Sequence, residues 1–196
     1  MHRLVAPVFE KTKEDKPRTE ENRTAQLLSL ILELLSFCVE HHSYHIRSYV
    51  IQRDLLKRIL VLMKSKHTFL VLSEYFFIVL NEENVLIFVS LGSLRFFRKI
   101  IGLKDEIYNR HITGSNLFAP VVEALQANNG RYNLLDSAII ELFEFIRTEE
   151  IRNLCTHIID KFGRQLEKVE YVGTFKGLKS QYDQHNDRGI KDTINT

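Results

Sequence analysis

One pattern of polar and apolar residues occurs twice in this chain, and it sets the strongest limit on the fold. Asp54-Leu-Leu-x-x-Ile-Leu and Asn116-Leu-Phe-x-x-Val-Val have the same order of residue types, 62 positions apart. Each motif starts with a residue that favours the beginning of a helix and continues with apolar residues at helical spacing. The recurrence predicts two copies of one helical unit.

The interval between the two copies falls to 43 residues when the 19 residues 73–91 are left out. Armadillo and HEAT units recur at about 40 to 47 residues. A third unit begins at Tyr132, at a similar interval but with less agreement between individual residues. We therefore expect an all-α fold, an armadillo- or HEAT-like α-solenoid of about three helical repeats. An irregular helical bundle is the alternative.

The first copy, residues 24–63, contains a helix with very little polar surface. Between residues 26 and 39 the polar side chains fall at spacings of three and four, at Gln26, Ser29, Glu33 and Ser36. So narrow a polar stripe predicts packing neighbours on most sides of this helix. A short linking helix and a second helix starting at Asp54 complete the unit.

Composition places the chain among ordinary globular proteins. It is 44% hydrophobic and 27% charged, and its formal net charge of +2 gives no general attraction to nucleic acids or membranes. Cys38 and Cys155 lie in apolar helical patterns, and we expect both to be buried, reduced thiols of an intracellular protein. Polar residues interrupt the hydrophobic stretch 73–91, which argues against a membrane span.

The chain divides into three parts by composition. Residues 1–23 are read as a short apolar segment followed by a charged linker, because residues 10–23 carry ten charges and no large apolar side chain. Residues 24–182 form the helical domain. Residues 183–196 are polar and are predicted to be a disordered tail.

The candidate binding residues are basic or aromatic and lie beside the repeat helices: Arg95, Arg98, Lys99 and Tyr132. Solenoids bind partners through exposed ridges of this kind, so a protein partner is favoured over nucleic acid. His41 and His45 are one helical turn apart and suggest a metal site, but zinc needs further ligands. The sequence shows no catalytic motif, and we predict no enzymatic activity, no cofactor and no metal.

Residues 73–91 interrupt the second unit. Residues 75–80 and 85–90 flank Asn81-Glu-Glu-Asn and could pair as a β-hairpin, which their aromatic and β-branched content favours, or could extend the flanking helices. We interpret the segment as an intron retained in frame, because its two ends can be encoded by sequences containing a splice donor and a splice acceptor. A genuine insertion is the alternative.

Six longer segments of the chain are distinctive: AQLLSLILELLSFCVEHH from Ala25, YHIRSYVI from Tyr44, DLLKRILVLMKSKHTFL from Asp54, IIGLKDEIYNR from Ile100, RYNLLDSAIIELFEFIR from Arg131 and YVGTFKGLK from Tyr171. Together they resemble the regulatory subunit 3 family of protein phosphatase 4, also called the SMEK family. The likeness extends from about residue 25 to residue 187, apart from residues 73–91.

The resemblance implies a non-catalytic scaffold subunit. Members of that family join the phosphatase 4 catalytic subunit and a second regulatory subunit to protein substrates, in the nucleus, the cytoplasm and at centrosomes. The resemblance places this chain in the armadillo-like region of such a subunit. A helical-repeat adaptor for nucleic acid or nuclear transport is the alternative function, since this architecture serves many partners.

Overall fold

A computed structural model of the chain describes residues 2–11, 22–64, 82–128, 130–131 and 133–194, and within these ranges every regular element is helical. The all-α fold expected from the sequence is confirmed, and it is consistent with an α-solenoid. None of the helices in these ranges is long and apolar enough to cross a membrane. The α-helices are α1 His2–Lys11, α2 Asn22–His41, α3 Ser43–Gln52, α4 Leu55–Val61, α5 Glu82–Gly102, α6 Glu106–Gly114, α7 Ala119–Asn128, α8 Leu134–Thr148, α9 Arg152–Leu166 and α10 Thr174–Ile194, with a 3₁₀ turn at Leu62–Lys64.

The chain forms two compact units, Met1–Ala138 and Ile139–Thr196. In the first unit, α2, α3 and α4 form one set of three helices, and α5, α6 and α7 form another. Each helix packs against its counterpart in the other set: α2 against α5, α3 against α6, and α4 against α7. The internal repeat predicted from the two motifs is therefore present as stacked helices.

The core of the first unit is made where the two sets meet. Leu28, Leu32 and Leu35 of α2 are buried, and so are Phe96 and Phe97 of α5. Each large side chain buried in this way stabilises the fold by about 1.5–3 kcal/mol relative to exposure. The α2–α5 contact is the most extensive one between helices of the described residues.

Residue 54 corrects one sequence prediction about helix capping. Asp54 lies at the N-terminal boundary of α4, as predicted, but its side chain accepts no capping hydrogen bond. Asp105 does cap a helix: its Oδ1 atom accepts hydrogen bonds from the backbone N–H groups of Ile107 and Tyr108. Gly130, which has a φ of 71°, follows α7 and supplies the left-handed residue that commonly ends a helix.

The second half of the 73–91 segment is helical, so the predicted β-hairpin is wrong for residues 85–90. They lie in α5, which runs without interruption from Glu82 to Gly102. Val89 and Leu91 are buried at 3% and 5% exposure, and this packing outweighs the strand propensity of the sequence. Residues 65–81, which contain the other proposed strand, lie outside the described residues.

The second unit contains α9 and α10, which pack against each other. The rings of Phe143 and Phe175 meet edge to face with centroids 5.3 Å apart. The Sγ atom of Cys155 lies 3.6 Å from the carbonyl oxygen of Leu178. Burial raises the pKa of the Cys155 thiol, which keeps it protonated.

Two boundaries and the burial of one cysteine differ from those read from the sequence. Residues 2–11 of the N-terminal segment form α1, while 12–21 of the linker lie outside the described residues. Helix α10 reaches Ile194, beyond the predicted end at residue 182, because extending an anchored helix needs no new nucleation. Cys38 is half-buried rather than fully buried.

Candidate partner-binding groove

An open groove of about 410 Å³ lies between α2 and α5. Two of the predicted binding residues, Arg95 and Lys99, line it. They are one turn apart on α5, so both point to the same side of the helix. The other lining residues are Ser29, Leu32, Glu33, Ser36, Phe37 and Glu40 from α2, with Leu91 and Gly92 from α5.

The floor of the groove is a close approach between the two helices. A Cβ atom added to Gly92 would lie 3.2 Å from Cδ1 of Leu32, which is tighter than an ordinary van der Waals contact. The small side chains of Ser29 and Ser36 leave space beside this contact. The absence of a side chain at Gly92 therefore lets α5 approach α2 at the base of the groove.

An ion pair between the two helices forms part of the groove lining. The Nζ atom of Lys99 donates a hydrogen bond of 2.5 Å to Oε2 of Glu40, and both side chains are about half exposed. This bond lowers the pKa of the Glu40 carboxyl, which stays ionised at neutral pH. Because the pair is solvated, it fixes the local geometry more than it stabilises the fold.

Arg95 is the free cation of the groove. It is exposed, and it forms no hydrogen bond or ion pair with any described residue. Its guanidinium can donate several hydrogen bonds to a carboxylate or to backbone carbonyl groups of a partner. Among the described lining residues, Arg95 is thus the side chain best placed for polar recognition.

The other two predicted binding residues are not part of this groove. Arg98 is half-buried on a neighbouring face of α5, does not line the groove and interacts with other residues of the chain. Helical periodicity explains this separation, because residue 98 is rotated around the helix by about 100° from Lys99 and by about 60° from Arg95. Tyr132 lies outside the described residues, so its predicted role is untested.

Sequence reasoning missed the apolar side chains on the outer face of α2. Leu30 is 63% exposed and Phe37 is 52% exposed, and Leu27 and Leu34 are somewhat less exposed, at 46% and 43%. The sequence predicted packing neighbours on most sides of this helix. The long apolar run was the available signal, but periodicity alone does not show which apolar face lacks a neighbour.

A second polar cluster joins α3 to α6, away from the groove. The Nη1 atom of Arg47 donates a 2.6 Å hydrogen bond to Oδ2 of Asp105. Partial burial alone would raise the pKa of Asp105, but this bond and those from the N–H groups of Ile107 and Tyr108 lower it. Burial raises the pKa of the nearby Tyr108 hydroxyl to about 12, so it remains protonated.

The histidines that suggested a metal site make aromatic contacts instead. The ring of His41 lies 4.4 Å from that of Phe37, and the ring of His45 lies 5.5 Å from that of Tyr44, measured between centroids. Within the part of the chain that the structure describes, no group of three or more His, Cys, Asp or Glu side chains is placed to hold a metal ion.

Comparison with known proteins gives one consistent family. The profile of the family described as Phosphatase 4 regulatory subunit 3 matches residues 1–85 and 77–184. The family is matched in two parts rather than one, and the two matches overlap at residues 77–85, inside the segment 73–91 that interrupts the second unit.

Two curated relatives cover almost the whole chain. A Drosophila melanogaster protein named Serine/threonine-protein phosphatase 4 regulatory subunit 3 is 57% identical over 189 residues, which are 96% of this chain and 17% of the relative. A Mus musculus protein named Protein PPP4R3C1 is 45% identical over 198 aligned residues, which are 96% of this chain and 22% of the relative. No solved structure matches the chain. By profile and by identity over nearly its full length, the chain belongs to the phosphatase 4 regulatory subunit 3 family.

Proposed function

We propose that this chain acts as a non-catalytic scaffold within the protein phosphatase 4 complex and contributes to holoenzyme assembly and substrate targeting. The 57% identity to a Drosophila phosphatase 4 regulatory subunit, over 96% of the chain, is the observation that carries the proposal. The chain spans 17% and 22% of the lengths of the two relatives, so the proposal concerns only what the helical region contributes to the function.

The proposed partners are the phosphatase 4 catalytic subunit and its second regulatory subunit, together with protein substrates. We assign the contact to the α2–α5 groove, because it combines the exposed Arg95, which is unpaired among the described residues, with the apolar side chains of Leu32 and Leu91. A mixed surface of this kind, with an arginine beside apolar side chains, has the composition of protein interfaces. The corresponding location is the nucleus and cytoplasm, including the centrosome, and microscopy of a tagged chain tests it.

Affinity capture with the tagged chain tests the function. The wild-type chain is expected to retain the phosphatase 4 catalytic subunit from a nuclear extract, detected by antibody. Arg95→Glu is expected to reduce recovery by about fivefold or more, since it places a negative charge opposite the partner groups that bind the positive charge of Arg95. Arg53→Glu is the matched control, because Arg53 is also exposed but lies outside the groove.

Three results would contradict the proposal. Capture of nucleic acid or nuclear-transport cargo without the catalytic subunit would favour the adaptor function. Equal recovery by Arg95→Glu and the wild-type chain would move the contact away from the groove. Phosphatase activity of the purified chain alone would contradict its non-catalytic role.

A further inference from the structure

Helix α2 carries an apolar stripe that no described helix covers. Leu27, Leu30, Leu34 and Phe37 are 46%, 63%, 43% and 52% exposed. Their spacing of three, four and three residues places them on one side of the helix. Single exposed apolar residues are ordinary, whereas a row of four on one helix face marks a contact surface.

The internal repeat shows what such a stripe is for. The positions 62 residues further along, in α5, are Val89, Gly92, Phe96 and Lys99. In α5 this stripe is the face that packs against α2. Val89 and Phe96 are 3% and 0% exposed, Gly92 approaches Leu32 of α2, and Lys99 pairs with Glu40 of α2. The same row of positions is therefore covered in α5 and open in α2.

The position of helix α1 also indicates that a repeat could stack in front of α2, α3 and α4. It packs against α4, just as α4 packs against α7. Helix α1 thus takes the place of the third helix of a preceding repeat. No described helix takes the place of that repeat's first helix, which would lie against the outer face of α2.

We propose that the stripe formed by Leu27, Leu30, Leu34 and Phe37 is the docking site for one amphipathic helix, the first helix of a preceding repeat. That helix stacks on α2 with the same geometry as the α2–α5 contact. The docked helix contacts α2 through an apolar face that resembles the face of α2 in contact with α5, and a residue equivalent to Leu32 lies at its centre. Because Leu30 is larger than its counterpart Gly92, the docked helix has a smaller side chain opposite Leu30.

A helix fused to the chain provides the test. The probe is the sequence of residues 26–41 with its own four stripe residues replaced by alternating Lys and Glu and with Cys38→Ser. It retains the face that α2 presents to α5. A Gly/Ser linker of about 20 residues joins it ahead of Met1, and such a linker spans roughly 25 Å on average.

The fused helix is expected to raise the melting temperature of the wild-type chain by about 4–8 °C, because a stacked helix adds buried apolar surface. The increase should be absent in Leu30→Glu/Leu34→Glu. It should persist in Ile107→Glu/Leu134→Glu, a matched pair of exposed apolar residues on other helices, at 49% and 61% exposure. An equal increase in both double variants, or none in the wild-type chain, would overturn the proposal.

Two further measurements identify any other occupant. Sedimentation of the unfused chain tests self-association: a dimer that Leu30→Glu/Leu34→Glu dissociates would make a second copy the occupant and overturn the proposal. Loss of phosphatase capture in that double variant, with Arg95→Glu unaffected, would assign the stripe to the phosphatase contact and also overturn it. Loss of phosphatase capture in Arg95→Glu but not in Leu30→Glu/Leu34→Glu would support the proposal, because the stripe would then not be needed for the phosphatase contact.

Discussion

Asp54 and Asn116 have the same left-handed backbone conformation, with φ of 50° and 51°, although 62 positions separate them. Each lies between the second and third helix of its set. Residues other than glycine seldom adopt this conformation, and Asp and Asn do so more readily than most. The repeat is therefore preserved both in the backbone and in the residue types that allow it.

Lys104 and Glu150 also have this conformation, with φ of 52° and 50°, and the side chain of Glu150 is exposed. Glu150→Gly is expected to increase the free energy of unfolding by about 1 kcal/mol. Glycine has no Cβ atom and so removes the steric strain of the left-handed conformation, while the greater entropy that glycine gives the unfolded chain offsets part of this gain. Glu150→Ala keeps the Cβ atom and should show no increase. Urea denaturation measures both, and an equal gain from alanine would contradict the explanation.

The bond between Arg47 and Asp105 predicts a pH-dependent contribution to stability. Asp105→Asn keeps the helix cap but removes the charge, and it should lower the free energy of unfolding by about 1 kcal/mol at pH 7. The pKa of Asp105 is lowered below its ordinary 3.8 in the folded chain, so its stabilising effect is present above that pH. The effect is lost as the pH falls through the lower, folded-state value.

Urea titrations between pH 7 and pH 2 measure this difference between the wild-type chain and Asp105→Asn. Glu106→Gln is the control, because Glu106 neighbours Asp105 but pairs only with Arg110 among the described residues, in a fully solvated ion pair. A difference for Asp105→Asn that stays constant down to pH 2 would show that the charge of Asp105 does not stabilise the fold.

The sequence predicted the helices and their repeat because both depend on local periodicity. The same apolar spacing that sets Leu55, Leu56 and Ile59 on one face also buries them in the structure. Exposure of Leu30 could not be predicted this way, since it depends on whether a neighbouring helix is present. For residues 85–90 the favoured hairpin is wrong and the helical alternative is correct, because burial of Val89 and Leu91 in α5 outweighs local strand propensity.

For the candidate site, the sequence placed three candidate residues on one helix but did not show which of them lie together. Arg95 and Lys99 share the groove, whereas Arg98 does not, and a strict 3.6-residue period separates them. The acidic partner of Lys99 was not predictable, because Glu40 lies 59 residues away and meets it only through helix stacking. Long-range contacts of this kind follow from the fold and leave no local signal.

The close approach of α2 and α5 predicts different responses to alanine at two helical glycines. Gly163→Ala should stabilise the chain by up to about 1 kcal/mol, since glycine is a poor helix former and the added Cβ would lie at an ordinary 3.6 Å from Ile159. Gly92→Ala should gain less or lose stability, because its Cβ would press on Leu32 at 3.2 Å. Thermal denaturation ranks the two variants, and a larger gain at Gly92 would contradict the packing described for the groove.

The length of the 73–91 segment predicts that its removal leaves the α2–α5 packing in register. Phe69-Leu-Val-Leu precedes Phe88-Val-Ser-Leu by 19 residues, the length of the segment itself. Deleting residues 73–91 therefore puts Leu70 and Leu72 at the positions of Val89 and Leu91, which are buried in α5. Apolar residues replace apolar residues at the helix contact.

We expect the chain without residues 73–91 to be more soluble and to melt at a higher temperature, because the deletion removes twelve apolar side chains and keeps the core contacts. Deletion of 74–91 is the control: one extra residue turns the helix by about 100° and carries Leu70 and Leu72 off the buried face. That variant should melt below the 19-residue deletion. Equal melting temperatures for the full chain and the 19-residue deletion, or transcripts that are never spliced at these ends, would argue that the segment is a genuine part of the fold rather than a retained intron.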